Sequence, residues 1–371
     1  MDKEQRQMNR ALADAVILIP SLEPDERLPD YIRRLVEAGF GHVVVVDDGS
    51  SQDYQSIFSE IESLDSRIQV LHHDVNHGTG VALKTGYRWI QENLPGVSGV
   101  ITADADGQHT VPDCTRLAEE LEKGNRALYL GARDFSLDNV PPKSRTGNRF
   151  TSLLFLLLYG KWLQDTQTGL RAFRREDLSF MIDVEGDRFE YEMNVLIACA
   201  RNSLPIISIP IETVYENENK GTHYHPFKDS MRIFRVIVRG FVKFMGASIV
   251  CFLVDHGIFN LLNLGIFHNG EAKVLSYIAL STAIARIISA SLNFLLNKKF
   301  VFQLKGGTGG ALWRYAMLCV GILLASAGSV WLLGLTGMSS TVAKIIADTL
   351  LYFLSFQVQQ KWVFHETGGS K

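Results

Sequence analysis

Residues 100–109 read VITADADGQH, from Val100 to His109. Val100, Ile101 and Thr102 have the character of a buried strand. The run then stops in two carboxylates two residues apart, Asp104 and Asp106, followed by an amide and an imidazole. A second run, VVVVDDGSS, has the same form and stops at Asp47 and Asp48. A strand that ends in acids points to a parallel sheet, whose ligands lie at the carboxyl ends of its strands.

The flanking chain supports that reading. Ala15–Ile19, Val43–Val46, Ile68–Leu71, Gly99–Thr102 and Ala127–Leu130 are short and β-rich. Between them, helical patterns run near Leu28–Glu37, Tyr54–Leu64, Thr79–Glu92 and Pro112–Lys123. This alternation predicts βαβ units and a mostly parallel sheet covered on both faces.

The chain has 371 residues and a net charge of −3, which argues against a nucleic-acid partner. Its average composition hides a split. Residues 1–14 are a polar tail and not a signal peptide, and 15–225 mix charged and apolar positions. Within 226–243, Lys228, Arg232, Arg235 and Arg239 recur on one side of a helix. Phe227, Met231, Phe234, Val238 and Phe241 recur on another, as in a helix lying in a membrane interface. Residues 244–365 are apolar, and 366–371 form a short tail. The four cysteines, Cys114, Cys199, Cys251 and Cys319, have no metal or redox spacing and read as reduced packing residues.

Four runs are long enough to span a bilayer, near Met245–Phe267, Val274–Leu296, Tyr315–Leu335 and Val342–Phe364. Lys and Arg gather on one side of these spans, which predicts cytoplasmic termini and a cytoplasmic soluble domain in a multi-pass plasma or inner membrane protein. The run from Asn293 to Phe302 recurs 62 residues later, from Ser355 to Phe364, so two hairpins read as copies of one unit. Arg286 falls at membrane depth and is expected to pair with Asp348 or Asp255. Thr151–Tyr159 is apolar but too short to span. It reads either as a core helix or as a helix against lipid.

Two aspartates on a turn after a buried strand can share one hard cation, Mg²⁺ or Mn²⁺, and leave positions open for phosphate oxygens. Gln108 offers a neutral oxygen ligand, and His109 shapes the turn. A nucleoside diphosphate is the natural partner of such an ion. Asp47 can accept from a base N–H or from ribose hydroxyls. Asn76-His77-Gly78-Thr79-Gly80 leads into a helix carrying Lys84, a pattern open both to an anionic ligand and to a plain turn.

IPSLEPDERL, VVVVDDGSSQD, NHGTGVALKTGY, ADADGQH, GARDF and DTQTGLRAF occur in that order. Together they resemble family 2 glycosyltransferases of the GT-A fold, in the dolichol- and polyprenyl-phosphate branch, over roughly Ala15 to Arg239. The four spans resemble a GtrA-like membrane domain. The resemblance implies an α/β nucleotide-sugar-binding domain, an interface helix and an all-α membrane domain of two repeated hairpins. It implies transfer of a hexose from a nucleotide-sugar donor to a polyprenyl phosphate with inversion, a UDP-hexose being favoured and GDP-mannose open.

On this resemblance Pro20, Ser21, Leu22 and Glu23 line the nucleoside pocket. Asp47 and Asp48 hold base or ribose, with Lys84 nearby. Asp104, Ala105, Asp106 and Gln108 hold metal and donor phosphates. Arg133 and Arg145 bind phosphate of donor or acceptor, and Asp165 stands beside the acceptor as a catalytic residue together with Asp106. Glu190 and Glu192 flank the sugar. Lys220, Thr222 and His223 belong to a loop that closes over donor and acceptor phosphate. A processive polysaccharide synthase of the same superfamily is a rival, but its Gln-x-x-Arg-Trp motif is absent from the catalytic part. The membrane domain reads either as a carrier of the lipid-linked sugar or as an anchor and homo-oligomer interface.

Overall fold

A computed structural model describes residues 3–137, 140–212, 226–262, 275–304 and 307–364. The chain divides into two compact units, Met1–Ile237 and Val238–Lys371.

In the first unit, strands β1 (Ala15–Ser21), β2 (His42–Asp47), β3 (Ile68–His72), β4 (Gly99–Thr102), β5 (Leu128–Ala132), β6 (Arg171–Arg174) and β7 (Ile206–Pro210) form one sheet of order β3-β2-β1-β4-β6-β5-β7. All its pairings are parallel except those of β6, which runs antiparallel to β4 and β5. The expected mostly parallel α/β sheet is therefore present, with β6 and β7 added to the five anticipated strands.

Helices cover the sheet where their apolar spacing requires it. In α2 (Arg27–Ala38) the buried residues Leu28, Tyr31, Ile32, Leu35 and Val36 follow a helical period. Gly39, at φ 107°, closes that helix by donating its N–H to Leu35 and Val36 carbonyls. Helix α5 (Val111–Glu122) starts on Thr110, whose side chain accepts from the Asp113 N–H. Helices α3 (Gln55–Leu64) and α4 (Thr79–Asn93) complete the anticipated set. Residues 1–14, read as a polar tail, carry α1 (Lys3–Ala13). Ala11 and Leu12 at its end are buried in the sheet core.

Helix α6 (Pro142–Tyr159) holds the ambiguous apolar run and has a buried face and an exposed apolar face. Phe155, Leu158 and Tyr159 are buried, whereas Phe150, Leu153 and Leu156 are exposed. Beyond it lie α7 (Leu178–Asp183) and α8 (Glu190–Arg201).

Helix α9 (Pro226–Asn260) runs for 35 residues, so the basic amphipathic segment continues without a break into the first span. Helices α10 (Leu275–Leu296), α11 (Thr308–Gly334) and α12 (Ser340–Val358) follow. Among the described residues, four stretches are long and apolar enough to cross a membrane: Ser230–Asn260, Ile278–Val301, Thr308–Gly334 and Ser340–Val363.

The internal repeat is visible in the packing of the second unit. Asn297 and Gln359, separated by 62 residues, hydrogen-bond to each other at 3.0 Å. Each opens a π-helical turn, Asn297–Val301 and Gln359–Val363. Each also donates back one turn, to Asn293 at 2.7 Å and Ser355 at 3.1 Å. Phe302 stacks on its repeat mate Phe364 with ring centroids 5.0 Å apart. The reciprocal pairs Phe294–Phe364 and Phe302–Phe356 lie at 5.5 and 5.7 Å. Equivalent residues meeting one another mark a local two-fold relation between the hairpins. Of the two partners open to Arg286, the structure selects Asp255, at 3.8 Å, which also accepts from Ser289. Asp348 instead accepts from Ser326 and pairs with Lys344 at 3.0 Å.

Candidate active site

The parallel register aligns Ser21 of β1 with Asp47 of β2, and Leu18 with Thr102 of β4. The ends of these three strands therefore bring Pro20 and Ser21, Asp47 and Asp48, and the Asp104 turn to one edge of the sheet. Ser21 Oγ is buried without a hydrogen-bond partner among the described residues. Leu22 and Glu23 follow it, and Glu23 sits at φ 48° with its N–H on Ser50 Oγ at 2.8 Å.

Asp47 and Asp48 are both buried and heavily engaged. Asp47 accepts from Ser50 N–H at 2.8 Å and Gln55 Nε2 at 3.2 Å, with His72 Nδ1 at 2.9 Å. Asp48 accepts from the backbone N–H of His77 at 3.0 Å and Gly78 at 2.7 Å, and meets His73 Nδ1 at 2.8 Å. Asp48 thus fills the turn before α4 that the sequence left open to an anionic ligand. A Cβ at Gly78 or Gly80 would overlap the 186–191 segment, so tight packing accounts for those glycines. Lys84 has its contacts on that segment too, donating to Gly186 O at 2.9 Å and lying over the Tyr191 ring.

The Asp104 turn is closed from within. Asp106 accepts from Gln108 N–H at 3.0 Å, and Asp104 meets His109 Nε2 at 3.0 Å. Ala105 separates the two acids, and Gly107 takes φ 72° at the corner. Burial and then the charge of Asp104 push the Asp106 carboxyl above the ordinary aspartate value. Burial also opposes ionisation of Asp104. The His109 imidazole and the Arg133 and Arg171 guanidiniums outweigh it and hold Asp104 below the ordinary value. Burial alone would lower His109, yet Asp104 outweighs that and holds the imidazole above its usual value. The two carboxylates of the turn oppose each other's ionisation, an opposition that a cation would relieve.

The DTQTGLR segment packs directly on these acids. Thr102 Oγ1 donates to Gly169 O at 2.7 Å, and a Cβ at Gly169 would overlap the Asp104 carboxylate. Asp165, fully buried, takes a two-pronged contact from Arg133, with Nε at 2.7 Å and Nη2 at 3.2 Å. It also accepts from Gln167 N–H at 2.9 Å. Arg145, on the first turn of α6, donates to Leu137 O at 2.7 Å. Lys220, Thr222 and His223 lie outside the described residues. Among the described residues no three His, Cys, Asp or Glu side chains group as a metal centre.

The sequence reading assigned no role to Arg171. It is buried on β6, donates from Nε to Thr168 O at 3.0 Å and from Nη1 to Glu192 O at 2.7 Å. Its Nη2 has no hydrogen-bond partner among the described residues. Burial raises the nearby Glu192 carboxyl to about 7, with Arg171 opposing.

Comparison with known proteins agrees with this architecture. Residues 16–180 match the model of glycosyl transferase family 2, and 243–364 match the GtrA/DPMS transmembrane domain. An uncharacterized protein of Methanocaldococcus jannaschii is 30% identical over 230 residues, covering 60% of this chain and 92% of that protein. The UDP-N-acetylglucosamine–dolichyl-phosphate N-acetylglucosaminyltransferase of Methanococcus voltae is 27% identical, covering 55% of this chain and 88% of that protein. The polyprenol monophosphomannose synthase of Mycolicibacterium smegmatis is 28% identical, covering 53% and 76%. With strand-end acids, a mixed sheet and four membrane-length helices in one chain, this protein belongs to glycosyl transferase family 2 and carries a GtrA/DPMS transmembrane domain.

Proposed function

We propose that this chain moves a hexose from a nucleoside-diphosphate sugar, foremost a UDP-hexose, onto a polyprenyl phosphate at the cytoplasmic face of a membrane. The observation that carries this reading is that the first unit has both a sheet end bearing acids and a guanidinium and an exposed apolar stripe. The sheet end holds Asp104, Asp106 and the Arg133–Asp165 pair. The stripe is Phe150, Leu153 and Leu156 on α6, and Phe150 stacks on exposed Phe234 of α9 at 6.3 Å. A water-soluble donor and a lipid acceptor need both features in one body. The named transferases among the relatives support the same reaction class.

The two carboxylates fit a hard divalent cation, Mg²⁺ or Mn²⁺, because their charges work against each other and both are oxygen donors. Gln108, two residues beyond Asp106, would add a neutral oxygen, and donor phosphates would complete the shell. When bound, the ion neutralises charge on the departing diphosphate. Pro20, Ser21, Leu22 and Glu23 border the nucleoside end, with Asp47 and Asp48 shaping that border through the loops they hold. The acceptor phosphate is already an anion at neutral pH and attacks without a strong base. Asp165 then serves to aim Arg133 at phosphate, and Arg145 supplies a second guanidinium.

Membranes containing the protein, short-chain polyprenyl phosphate, Mn²⁺ and a panel of labelled UDP- and GDP-sugars test this. Label should enter the organic phase from one donor. Label staying in water with every donor, from folded protein, overturns the reading. The stripe makes its own prediction. Leu153→Glu with Leu156→Glu should cut transfer to a long-chain acceptor in vesicles about tenfold, by lost apolar insertion, and spare a water-soluble short-chain acceptor. Equal losses on both acceptors would remove the stripe from the account.

A further inference from the structure

Asn148 lies on α6, and its side chain faces inward, almost completely buried at 2% exposure. Its amide is spent on the two peptide groups that flank Asp165. Nδ2 donates to Gln164 O at 2.6 Å, and Oδ1 accepts from Thr166 N–H at 3.0 Å. The Thr166 hydroxyl donates to the same Oδ1 at 3.0 Å and lies 3.1 Å from Thr151 Oγ1. Thr151 in turn donates to Gly147 O at 2.7 Å, which ties the network to the α6 backbone. The chain is thus gripped one residue before and one residue after the carboxylate that holds Arg133.

An amide is suited to this task, since it supplies a donor and an acceptor a fixed distance apart. A carboxylate would lose the donor and add charge beside Asp165. A hydroxyl would not span both peptides. The grip comes from the same helix whose outer face carries Phe150, Leu153 and Leu156.

We infer that Asn148 is a positioning residue for sugar transfer. It sets the Asp165 backbone from α6, and through Asp165 it sets the Arg133 guanidinium. This rests on the transfer reaction proposed above.

The test is a double-mutant cycle of Asn148→Ala and Asp165→Asn in full-length protein, with kcat, donor KM and thermal unfolding measured for each. Asn148→Ala alone should lower kcat ten- to a hundredfold, the order of cost of a misplaced reacting group, and leave donor KM within about threefold. In the Asp165→Asn background it should cost less than about twofold more, because both changes act through one group. Equal losses in both backgrounds, or a kcat within about twofold of wild type, overturn the inference. If Asn148→Ala does not fold, Thr166→Val takes its place. It keeps the N–H bond and drops the hydroxyl, and its smaller loss must also vanish beside Asp165→Asn. If wild type transfers no sugar, the proposed reaction falls on its own. Amide exchange at 164–167 then decides: faster exchange in Asn148→Ala sustains the grip on Asp165, and unchanged exchange overturns it.

Discussion

On the proposed reaction, Asp104→Asn should lower sugar transfer about a hundredfold or more in folded protein, since it removes a charge proposed to act on the diphosphate. The side chain is half exposed and its neighbour Asp106 is held above the ordinary value partly by its charge. Removing that charge relieves the repulsion on Asp106 but takes the counter-charge from His109, Arg133 and Arg171, while an asparagine oxygen can still meet His109 Nε2. The unfolding temperature should fall modestly, since an aspartate held below its ordinary value stabilises the fold when ionised, while kcat/KM collapses. Raising Mn²⁺ should recover part of the loss if the site is weakened and not destroyed. Transfer within about threefold of wild type would show that this turn does not handle the diphosphate, given the size of the electrostatic effect expected there.

Gly169→Ala is the second large effect, and it reaches the same carboxylate from the opposite side. The new methyl would overlap the Asp104 carboxylate oxygens. The backbone cannot retreat freely, because Gly169 O holds the buried Thr102 hydroxyl at 2.7 Å. Asp104 is the softer partner, so it moves. A shift of about 1 Å at a reacting site costs on the order of a hundredfold in rate. The expected signature is a fall in kcat with a raised donor KM and little change in unfolding temperature. A large fall in unfolding temperature with kcat per folded molecule unchanged would locate the strain in the loop backbone and not in Asp104.

The route from sequence to this site was open where local chemistry decides. The strand ends at Asp47 and Asp104 were legible because apolar runs stop abruptly in acids, and the sheet places both at one edge. The spans were legible by length, and the repeat by the spacing that later joins Asn297 to Gln359. Other features depend on neighbours distant in the chain. Strand β6 reads Arg-Ala-Phe-Arg, and nothing local says that Arg171 will be buried. It is buried because Glu192 and Thr168 carbonyls accept from it. Helix α1 looks polar because it gives the core little more than Ala11 and Leu12, with Met8 packed partly against it. The glycines at Gly78 and Gly80 resembled a ligand cradle, yet they make room for the 186–191 segment and for the contacts of Lys84. Asn148 gave no signal because its partners are peptide groups at Gln164 and Thr166, sixteen and eighteen residues further on.

The same contrast explains α6. A period-based reading cannot choose between core and surface when one helix carries apolar side chains on both, with Phe155 and Tyr159 buried and Phe150 and Leu153 exposed. Its inner face holds the Asp165 segment, and its outer face offers apolar surface, so the helix links the two halves of the proposed chemistry.

The most direct measurement is the mass of the lipid product made by purified protein from a UDP-hexose, Mn²⁺ and a polyprenyl phosphate of defined length. The expected product has the mass of the acceptor plus one hexosyl unit, a hexose less one water, with a single phosphate between sugar and prenol and UDP released in equal amount. A product carrying two phosphates, or a polymer of sugars free of prenol, would contradict it.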